Sequence, residues 1–491
     1  MKEYVQVSPS LTGPAEEAAS ADFYSFPAPK RLPGELRTPE EQPRSQEFLQ
    51  RQAATESNAR SYPRKLPFAL ARAKGFYVQD VDGHVYYDCL SGAGAIALGH
   101  NHTVVQDAIR AQLDADLPML TLDLTTPVKE AFVHEILSLF PEEFARHARV
   151  QFCGPSGADA VEAAIKLVKQ ATGRRGMMAF HGGYHGMTHG ALSLMGNLSS
   201  KSAVPGLMGE VNFLPYPYSY RPPMGTAADA EGRLCSNYIE TILTDDESGI
   251  PKPAGIILEA VQGEGGKIPA PVEFLRELRR ITQEQDIPLI LDEIQTGLGR
   301  TGRMFAFEHA GIIPDVVVLS KAIGGSQPVA VVVYHERLDT WGPGAHAGTF
   351  RGNQLGFAAG LATIRYIKEN DLVNHAARMG ALFQAELRGL QARVQCIGDI
   401  RGLGLMLGME IVNPLSGRLQ SGQPERFGAL AKRIQAECFR RGLLVELGGR
   451  QGSVVRLLPP LIITAEQVRH VVQILGEAML VAETALLIGV N

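Results

Sequence analysis

Lys321 stands directly after an apolar run, residues 316–320, and is followed by the small residues 322–325. A lysine at the end of such a run is cut off from bulk water, and desolvation lowers its pKa toward the neutral, nucleophilic amine. Upstream, a second apolar run, residues 287–291, delivers Asp292 at its carboxyl end. The two runs therefore predict a nucleophilic amine and a carboxylate at the ends of two buried strands.

These two side chains are the contacts that a pyridoxal phosphate enzyme requires. The lysine forms a Schiff base with the cofactor, and the carboxylate holds the pyridinium nitrogen protonated. Taken alone, each side chain also fits a plainer role, since Lys321 would serve as a solvated loop lysine and Asp292 as the cap of a strand. Further motifs along the chain favour the catalytic interpretation.

A candidate phosphate site follows the apolar residues 150–153. Residues 154–159 have the pattern of a strand end, a glycine turn and a helix start, where free N–H groups and the helix dipole bind an anion. The alternative is a capping box between Ser156 and Asp159. A nucleotide or a sugar phosphate would also fit such a cradle.

Three glycine-rich loops and one arginine add candidate site residues. Tyr184, beside two glycines, suits a ring stacked on a flat cofactor, and the hydroxyl of Thr349 is placed to reach a phosphate. Glu264 lies between glycines just beyond a predicted strand. Arg456 sits inside an apolar run, where an arginine is rarely buried without a partner. It is either a paired structural charge or the fork that binds a substrate carboxylate.

The composition excludes several classes of protein. The 491 residues carry 47 basic and 52 acidic side chains without a basic block, so nucleic acid is not an expected partner. Five scattered cysteines without a C-x-x-C pair indicate reduced thiols rather than a disulfide or zinc framework. The first ten residues lack an apolar signal, and the apolar run at residues 478–490 is interrupted by Glu483 and too short for a bilayer. We expect a cytoplasmic protein without a metal.

The middle of the chain, residues 116–370, alternates short apolar runs with amphipathic helical windows. This alternation predicts an α/β fold with a mostly parallel sheet, in which ligands bind beyond the carboxyl ends of the strands. Residues 1–60 are rich in proline, and we expect an arm that is mobile or laid over a partner subunit. Residues 61–115, with a hairpin pattern around residues 81–83, and residues 371–491 are assigned to a smaller α+β domain.

Residues 291–302, together with residues 320–325, closely resemble the signature of the class III (ω-amino acid) aminotransferases, a pyridoxal phosphate family of fold type I. The resemblance runs from about Phe68 to the C-terminus. It implies a large cofactor-binding domain, a smaller domain, pyridoxal 5'-phosphate as the cofactor, and a homodimer as the smallest active unit.

The resemblance also implies a role for each matching residue. Lys321 forms the Schiff base, and Asp292 pairs with the pyridine nitrogen. The other implied cofactor contacts are the backbone amides of Gly157 and Ala158 at the phosphate, Tyr184 stacked on the ring with His185 beside it, Gln295 at the ring hydroxyl, and Thr349 at the phosphate of the neighbouring subunit.

Substrate recognition departs from part of the family. Glu264, implied to be catalytic, and Arg456 match the family's switch pair, but Met187 stands where many members have an arginine that binds a substrate carboxylate. That difference disfavours ornithine, acetylornithine and γ-aminobutyrate. Residues 154–164 and 120–129 are most similar to members that transfer an amino group between L-glutamate and L-aspartate 4-semialdehyde, giving L-2,4-diaminobutyrate and 2-oxoglutarate.

Two alternatives stay open. One is another enzyme on the same scaffold: an ω-amino acid, ornithine or polyamine aminotransferase, or an aminomutase that needs no 2-oxoglutarate. The other is a non-catalytic regulatory module that binds the cofactor, for which an N-terminal helix-turn-helix domain is expected. Residues 1–60 carry many prolines and little helical periodicity, which disfavours that domain.

Overall fold

The computed structural model describes residue 26 and residues 29–225, 230–417, 419 and 422–488. The first part of the predicted arm, residues 1–25 and 27–28, lies outside the described residues. The strands are β1 (Leu70–Lys74), β2 (Tyr77–Asp80), β3 (Val85–Asp88), β4 (Ala148–Phe152), β5 (Met177–Phe180), β6 (Val211–Leu214), β7 (Gly255–Leu258), β8 (Val261–Gln262), β9 (Ile268–Pro269), β10 (Leu289–Asp292), β11 (Val316–Leu319), β12 (Val331–His335), β13 (Ile397–Leu403), β14 (Met406–Ile411), β15 (Leu443–Leu444), β16 (Glu446–Gly448) and β17 (Val454–Leu457).

Helices connect and cover these strands. They are α1 (Pro43–Thr55), α2 (Tyr62–Lys65), α3 (Thr103–Asp114), α4 (Pro127–Leu137), α5 (Glu142–Arg146), α6 (Gly157–Thr172), α7 (His189–Ser193), α8 (Leu198–Lys201), α9 (Glu231–Thr244), α10 (Val272–Glu284), α11 (Gln354–Glu369), α12 (Leu372–Gln391), α13 (Gly428–Arg440) and α14 (Ala465–Leu487). Short 3-10 helices include Lys321–Gly324 and Thr349–Gly352.

The central sheet has seven strands in the order β4-β12-β11-β10-β7-β5-β6. Parallel pairing joins β6, β5, β7, β10 and β11, whereas β12 runs antiparallel to both of its neighbours. All residues of β5, β7, β10 and β11 are buried, as a sheet covered on both faces requires. The predicted mostly parallel α/β sheet is confirmed.

The strand register places the two chemically important strand ends side by side. In the parallel pair β10–β11, Asp292 lies opposite Val318, three residues before Lys321. Strand β7 pairs with β10 through Leu258 and Leu291, so the loop after β7 leaves the sheet at the same edge. The carboxyl ends of parallel strands thus bring separate loops together, where ligands bind in such sheets.

Two smaller sheets flank the central one. Strands β1, β2 and β3 form an antiparallel meander that β15 extends, and the predicted hairpin is confirmed by the pairing of Tyr77 with Tyr87. The second sheet, in the order β13-β14-β17-β16, is antiparallel throughout. The register of β16 and β17 sets Glu446 directly opposite Arg456.

The described part of the arm is bound to its own chain. The side-chain amide of Gln42 donates hydrogen bonds to Asp80 (3.0 Å) and to the hydroxyl of Tyr86 (2.7 Å). The backbone N–H of Ser45, in the first turn of α1, donates to Asp82 at 2.8 Å. These contacts fasten α1 to the β2–β3 hairpin, and the expected contact of the arm with a partner subunit stays a prediction.

Helix α14 is the one helix in the described part of the chain whose length and apolar composition would allow it to cross a bilayer. Half of its most apolar stretch is buried inside the protein, and it packs against α12, α13 and β15. The carboxylate of Glu483 is buried there and accepts a hydrogen bond from the backbone N–H of Gln395 at 2.8 Å. In this structure α14 is therefore a helix of the protein core that packs beside the smaller sheets.

Candidate active site

A cavity of about 470 Å³ lies at the carboxyl edge of the central sheet. The loops that follow β4, β5, β7, β10 and β11 line it. Eight of the residues predicted for the site lie on its wall: Gly157, Ala158, Tyr184, His185, Glu264, Asp292, Gln295 and Lys321. A larger cavity of about 570 Å³, between α1 and the β1–β3 sheet, contains none of the predicted site residues.

Lys321 enters the cavity at the end of β11. It is the first residue of a 3-10 helix and adopts a left-handed backbone conformation, with φ of +51°, which is uncommon for a residue with a Cβ atom. Burial lowers the pKa of its amine, and the carboxylates of Glu264 and Asp292 oppose that shift. The amine has no hydrogen-bond partner in the described ranges, so it is available to a ligand.

Asp292 is held in place by His185. Its Oδ2 atom lies 2.8 Å from Nδ1 of His185, and its Oδ1 accepts a hydrogen bond from the backbone N–H of Ile294 at 3.1 Å. Burial opposes charge on the imidazole, but the hydrogen bond and the negative charge of Asp292 outweigh it and raise the pKa of His185. The two contacts hold the carboxyl group of Asp292 in one orientation at the cavity wall.

The N-terminus of α6 faces the same cavity. Ser156 and Asp159 do form the capping box that was the alternative to an anion site, with the N–H of Ser156 donating to Asp159 at 2.9 Å. That box leaves the N–H groups of Gly157 and Ala158 without partners among the residues described. The two interpretations are therefore compatible. The box fixes the end of the helix, and the N–H groups of Gly157 and Ala158 remain free to bind an anion in the cavity.

Close packing holds the Tyr184 loop against this helix end. Gly186 has φ of +131°, and a Cβ atom there would lie 2.6 Å from Cβ of Ala158. Only glycine fits that position. The backbone N–H of Tyr184 donates to the buried carboxylate of Glu259 at 2.9 Å, which fixes the aromatic ring at the cavity wall. Met187 lies at the rim, with 56% of its surface exposed.

Glu264 and Arg456 form a bidentate ion pair, with distances of 2.5 Å and 2.9 Å. Arg456 is almost fully buried behind the cavity wall, whereas 36% of the Glu264 side chain is exposed. Arg456 has a second carboxylate partner, Glu446, at 3.0 Å, and the hydroxyl of Tyr62 donates to Glu446 at 2.8 Å. Burial favours the neutral form of Glu264, but the nearby Arg456 outweighs this effect and lowers the pKa of Glu264.

Sequence reasoning missed three charged residues at this site. Lys267 is fully buried and its amine donates to the side-chain oxygen of Gln295 at 2.6 Å. Glu259 directly follows strand β7, whereas Asp292 is the last residue of β10, and burial raises the pKa of Glu259 to about 7. For both, the signal used for Lys321 and Asp292, a charged residue at the edge of an apolar run, was present. Glu446 gave no such local signal, because only the β16–β17 pairing brings it to Arg456.

Thr349 is not brought to this cavity. It is exposed at the start of a 3-10 helix, and its neighbour Phe350 is 61% exposed. Arg351 in the same segment forms an ion pair with Asp123 at 2.5 Å. The segment thus belongs to a surface shared with the residues before α4 and lies apart from the chain's own cavity.

Comparison with known proteins agrees with this geometry. The family model described as "Aminotransferase class-III" matches residues 58–479. A diaminobutyrate–2-oxoglutarate aminotransferase of Rhizobium meliloti (strain 1021) is 54% identical over 424 residues, covering 86% of this chain and 90% of that protein. A protein of the same name from Haemophilus influenzae is 51% identical over 414 residues, covering 84% of this chain and 90% of that protein.

Solved structures of transaminases share the fold. An amine transaminase from an uncultivated Pseudomonas species, in its PLP-bound form, is 28% identical, with a TM-score of 0.76 over 88% of this chain and 97% of that one. A thermostable omega transaminase variant from Pseudomonas jessenii is 25% identical, with a TM-score of 0.79 over 90% of this chain and 98% of that one. The chain belongs to the class III aminotransferase family.

Proposed function

We propose that this protein is a pyridoxal 5'-phosphate-dependent aminotransferase that transfers an amino group between L-glutamate and L-aspartate 4-semialdehyde, giving L-2,4-diaminobutyrate and 2-oxoglutarate. The observation that carries the substrate assignment is the identity of 54% and 51%, over most of both chains, to proteins named for this reaction. The reaction class rests on the family and on the placement of Lys321 and Asp292 in one cavity.

The cavity residues fit pyridoxal phosphate. The free N–H groups of Gly157 and Ala158 suit its phosphate, and the carboxylate of Asp292 suits its ring nitrogen. Tyr184 offers an aromatic face, and Lys321 offers an amine without another partner. Bound there, the cofactor supplies an electron sink for the carbon that carries the amino group.

The chain's own groups then have distinct tasks. Lys321, with its pKa lowered by burial, accepts and returns the proton at the reacting carbon. Asp292 keeps a proton on the ring nitrogen, and His185 holds Asp292 in position. The half-buried Tyr184 and the small residues after Ser156 keep the flat ligand in one orientation. Each task needs a fixed side chain, which the strand ends provide.

One site has to accept two unlike amines. Glutamate reacts at the carbon that bears its α-carboxylate, whereas diaminobutyrate reacts at a terminal amine with no carboxylate beside it. We propose that Arg456 binds the glutamate carboxylate after Glu264 moves away, and that Glu264 neutralises Arg456 when diaminobutyrate is bound. Because Glu446 stays at 3.0 Å, Arg456 is never an isolated buried charge during this exchange.

Replacing Glu264 with alanine is expected to slow the half-reaction with diaminobutyrate by about tenfold or more, a cost of roughly 1.4 kcal/mol. Without Glu264, the excess positive charge of Arg456 repels the substrate ammonium. The glutamate half-reaction should change little, because the carboxylate of the substrate glutamate then binds Arg456 without having to displace Glu264. Single-turnover absorbance measurements with each amine test this difference.

The variant Glu264→Gln is the matched control, because it removes the charge and keeps the size. We expect it to behave like Glu264→Ala. Equal losses in both half-reactions would contradict the exchange of partners at Arg456. Loss in the alanine variant alone would point to packing instead of charge.

The assignment of the substrate is tested by a scan of half-reactions on the wild-type holoenzyme. L-2,4-diaminobutyrate, glutamate, ornithine, γ-aminobutyrate and putrescine are each mixed with the protein, and the cofactor absorbance is followed. We expect rapid conversion by diaminobutyrate and glutamate, and rates lower by about a hundredfold for the other three amines, a difference of roughly 2.7 kcal/mol. Conversion by ornithine or putrescine with diaminobutyrate inert would keep the aminotransferase and overturn the substrate.

We further propose that two copies of the chain form the active unit in the cytoplasm. Four exposed apolar side chains lie on the segment of Thr349 and on residues 119–124, whose backbone pairs with that segment: Met119, Leu122, Leu124 and Phe350. A group of exposed apolar side chains is typical of a protein interface. A second copy seated there would place Thr349 against a neighbouring cavity, as the family resemblance implies. The five cysteines are free and buried, which suits a reducing compartment.

A further inference from the structure

Lys267 is a fully buried lysine without a role in the proposed reaction. It lies between the Glu264 loop and strand β9, and none of its surface is exposed. Its amine donates a hydrogen bond to the side-chain oxygen of Gln295 at 2.6 Å. A lysine is rarely fully buried unless it is paired, and this is the one hydrogen bond of the Lys267 amine within the described residues.

The amide of Gln295 is fixed at both ends. Its oxygen accepts from Lys267, and its nitrogen donates to the backbone carbonyl of Ala93 at 2.9 Å. If the amide were flipped, its NH₂ group would face the Lys267 amine, and its oxygen would face the Ala93 carbonyl. Both contacts would then be repulsive. The surroundings are tight as well, since a Cβ atom on Gly263 would lie 2.4 Å from the Gln295 oxygen.

One N–H of Gln295 is left over, and Gln295 lines the cavity. The amide nitrogen has two N–H groups, of which Ala93 uses one. With the oxygen taken by Lys267, Gln295 is a donor toward any ligand in the cavity and not an acceptor. A donor at that position favours a ligand oxygen that carries negative charge.

Charged groups of both signs surround the Lys267 amine. Burial lowers the pKa of Lys267 well below its ordinary value, Arg456 lowers it further, and Glu264 and Glu446 oppose both effects. The N–H of Lys267 donates to Gln295 in either protonation state, and the carbonyl of Ala93 accepts from the amide nitrogen alone, so the amide keeps its orientation whether or not the lysine is charged.

We infer that Lys267 is a positioning residue that holds the Gln295 amide as a hydrogen-bond donor toward the ring hydroxyl oxygen of the cofactor and so favours the deprotonated form of that oxygen. This inference rests on the proposed function, which supplies the cofactor. It assigns a task to a residue that touches neither the substrate nor the cofactor.

The test uses the resting holoenzyme and reads the pH midpoint of the cofactor's absorbance change. In Lys267→Met, which is similar in length but cannot donate, we expect the midpoint to rise by about one pH unit. The ring oxygen then loses its donor and holds its proton more tightly. The cofactor dissociation constant, measured by equilibrium dialysis, should rise by about tenfold.

A double-mutant cycle separates positioning from a general structural effect. Gln295→Leu alone should raise the midpoint similarly, and adding Lys267→Met to it should cause no further change. Lys267→Gln, one atom too short to keep the 2.6 Å contact, is the second variant if the methionine variant does not fold. It should shift the midpoint in the same direction.

Two results would overturn the inference: an unchanged midpoint in the folded Lys267 variants, or the same shift in the presence and in the absence of Gln295. Failure of the proposed function looks different. A wild-type protein without any cofactor absorbance would refute the cofactor assignment, and inertness toward diaminobutyrate would refute the substrate while leaving the midpoint experiment valid.

Discussion

Replacing Lys321 with methionine is expected to lower kcat by about a thousandfold or more, since general acid–base catalysis alone contributes roughly a hundredfold to ten-thousandfold. Methionine matches the lysine side chain in length and is apolar, so the buried position after β11 should tolerate it. The variant lacks the amine that, in the proposed mechanism, bonds to the cofactor and carries the proton. Steady-state kinetics with diaminobutyrate and 2-oxoglutarate measure the loss.

The control is Lys252→Met, at an exposed position outside the cavity. It removes the same charge and should keep the wild-type kcat and cofactor absorbance. If Lys321→Met retained more than about a tenth of the wild-type kcat, the amine would not carry the proton, because such a loss is smaller than general acid–base catalysis provides. Thermal unfolding of both variants identifies any loss that comes from destabilisation.

The elements that position this chemistry were predictable because their signals are local. Strands β10 and β11 are four-residue runs that are fully buried, and Asp292 and Lys321 end or follow them in the sequence. Parallel pairing of such strands brings their carboxyl ends to one edge of the sheet. No long-range information was needed to place these two side chains in one cavity.

The contacts around Arg456 were not predictable in the same way. Glu446 reaches it because β16 and β17 pair antiparallel, and Glu264 reaches it from a loop almost two hundred residues earlier in the chain. A sequence gives the type of each residue but not the register of distant strands. The antiparallel β12, which lies between β11 and the edge strand β4, escaped prediction for the same reason.

The side chain of Gln42 binds Asp80 and Tyr86, contacts that the proline-rich composition before residue 60 does not predict. Whether this arm also lies over a partner subunit stays a prediction. At α6, the sequence offered a capping box and an anion site as alternatives. The structure contains the box, which uses different N–H groups from those that face the cavity.

The second large expected effect concerns which of the two nitrogen atoms of diaminobutyrate comes from glutamate. Diaminobutyrate has an amino group at the α-carbon and one at the terminal carbon. In the proposed reaction the aldehyde carbon of L-aspartate 4-semialdehyde receives the nitrogen, and its existing α-amino group is untouched. The proposed exchange of partners between Arg456 and Glu264 would allow the site to accept a substrate without a carboxylate at the reacting carbon.

The most direct measurement is therefore nitrogen transfer with isotopically labelled glutamate. The wild-type holoenzyme is incubated with ¹⁵N-glutamate and L-aspartate 4-semialdehyde, and the product is analysed by NMR. The account predicts diaminobutyrate labelled at the terminal nitrogen alone, formed together with an equal amount of 2-oxoglutarate. Label at the α-nitrogen, or 2-oxoglutarate formed without labelled diaminobutyrate, would contradict it.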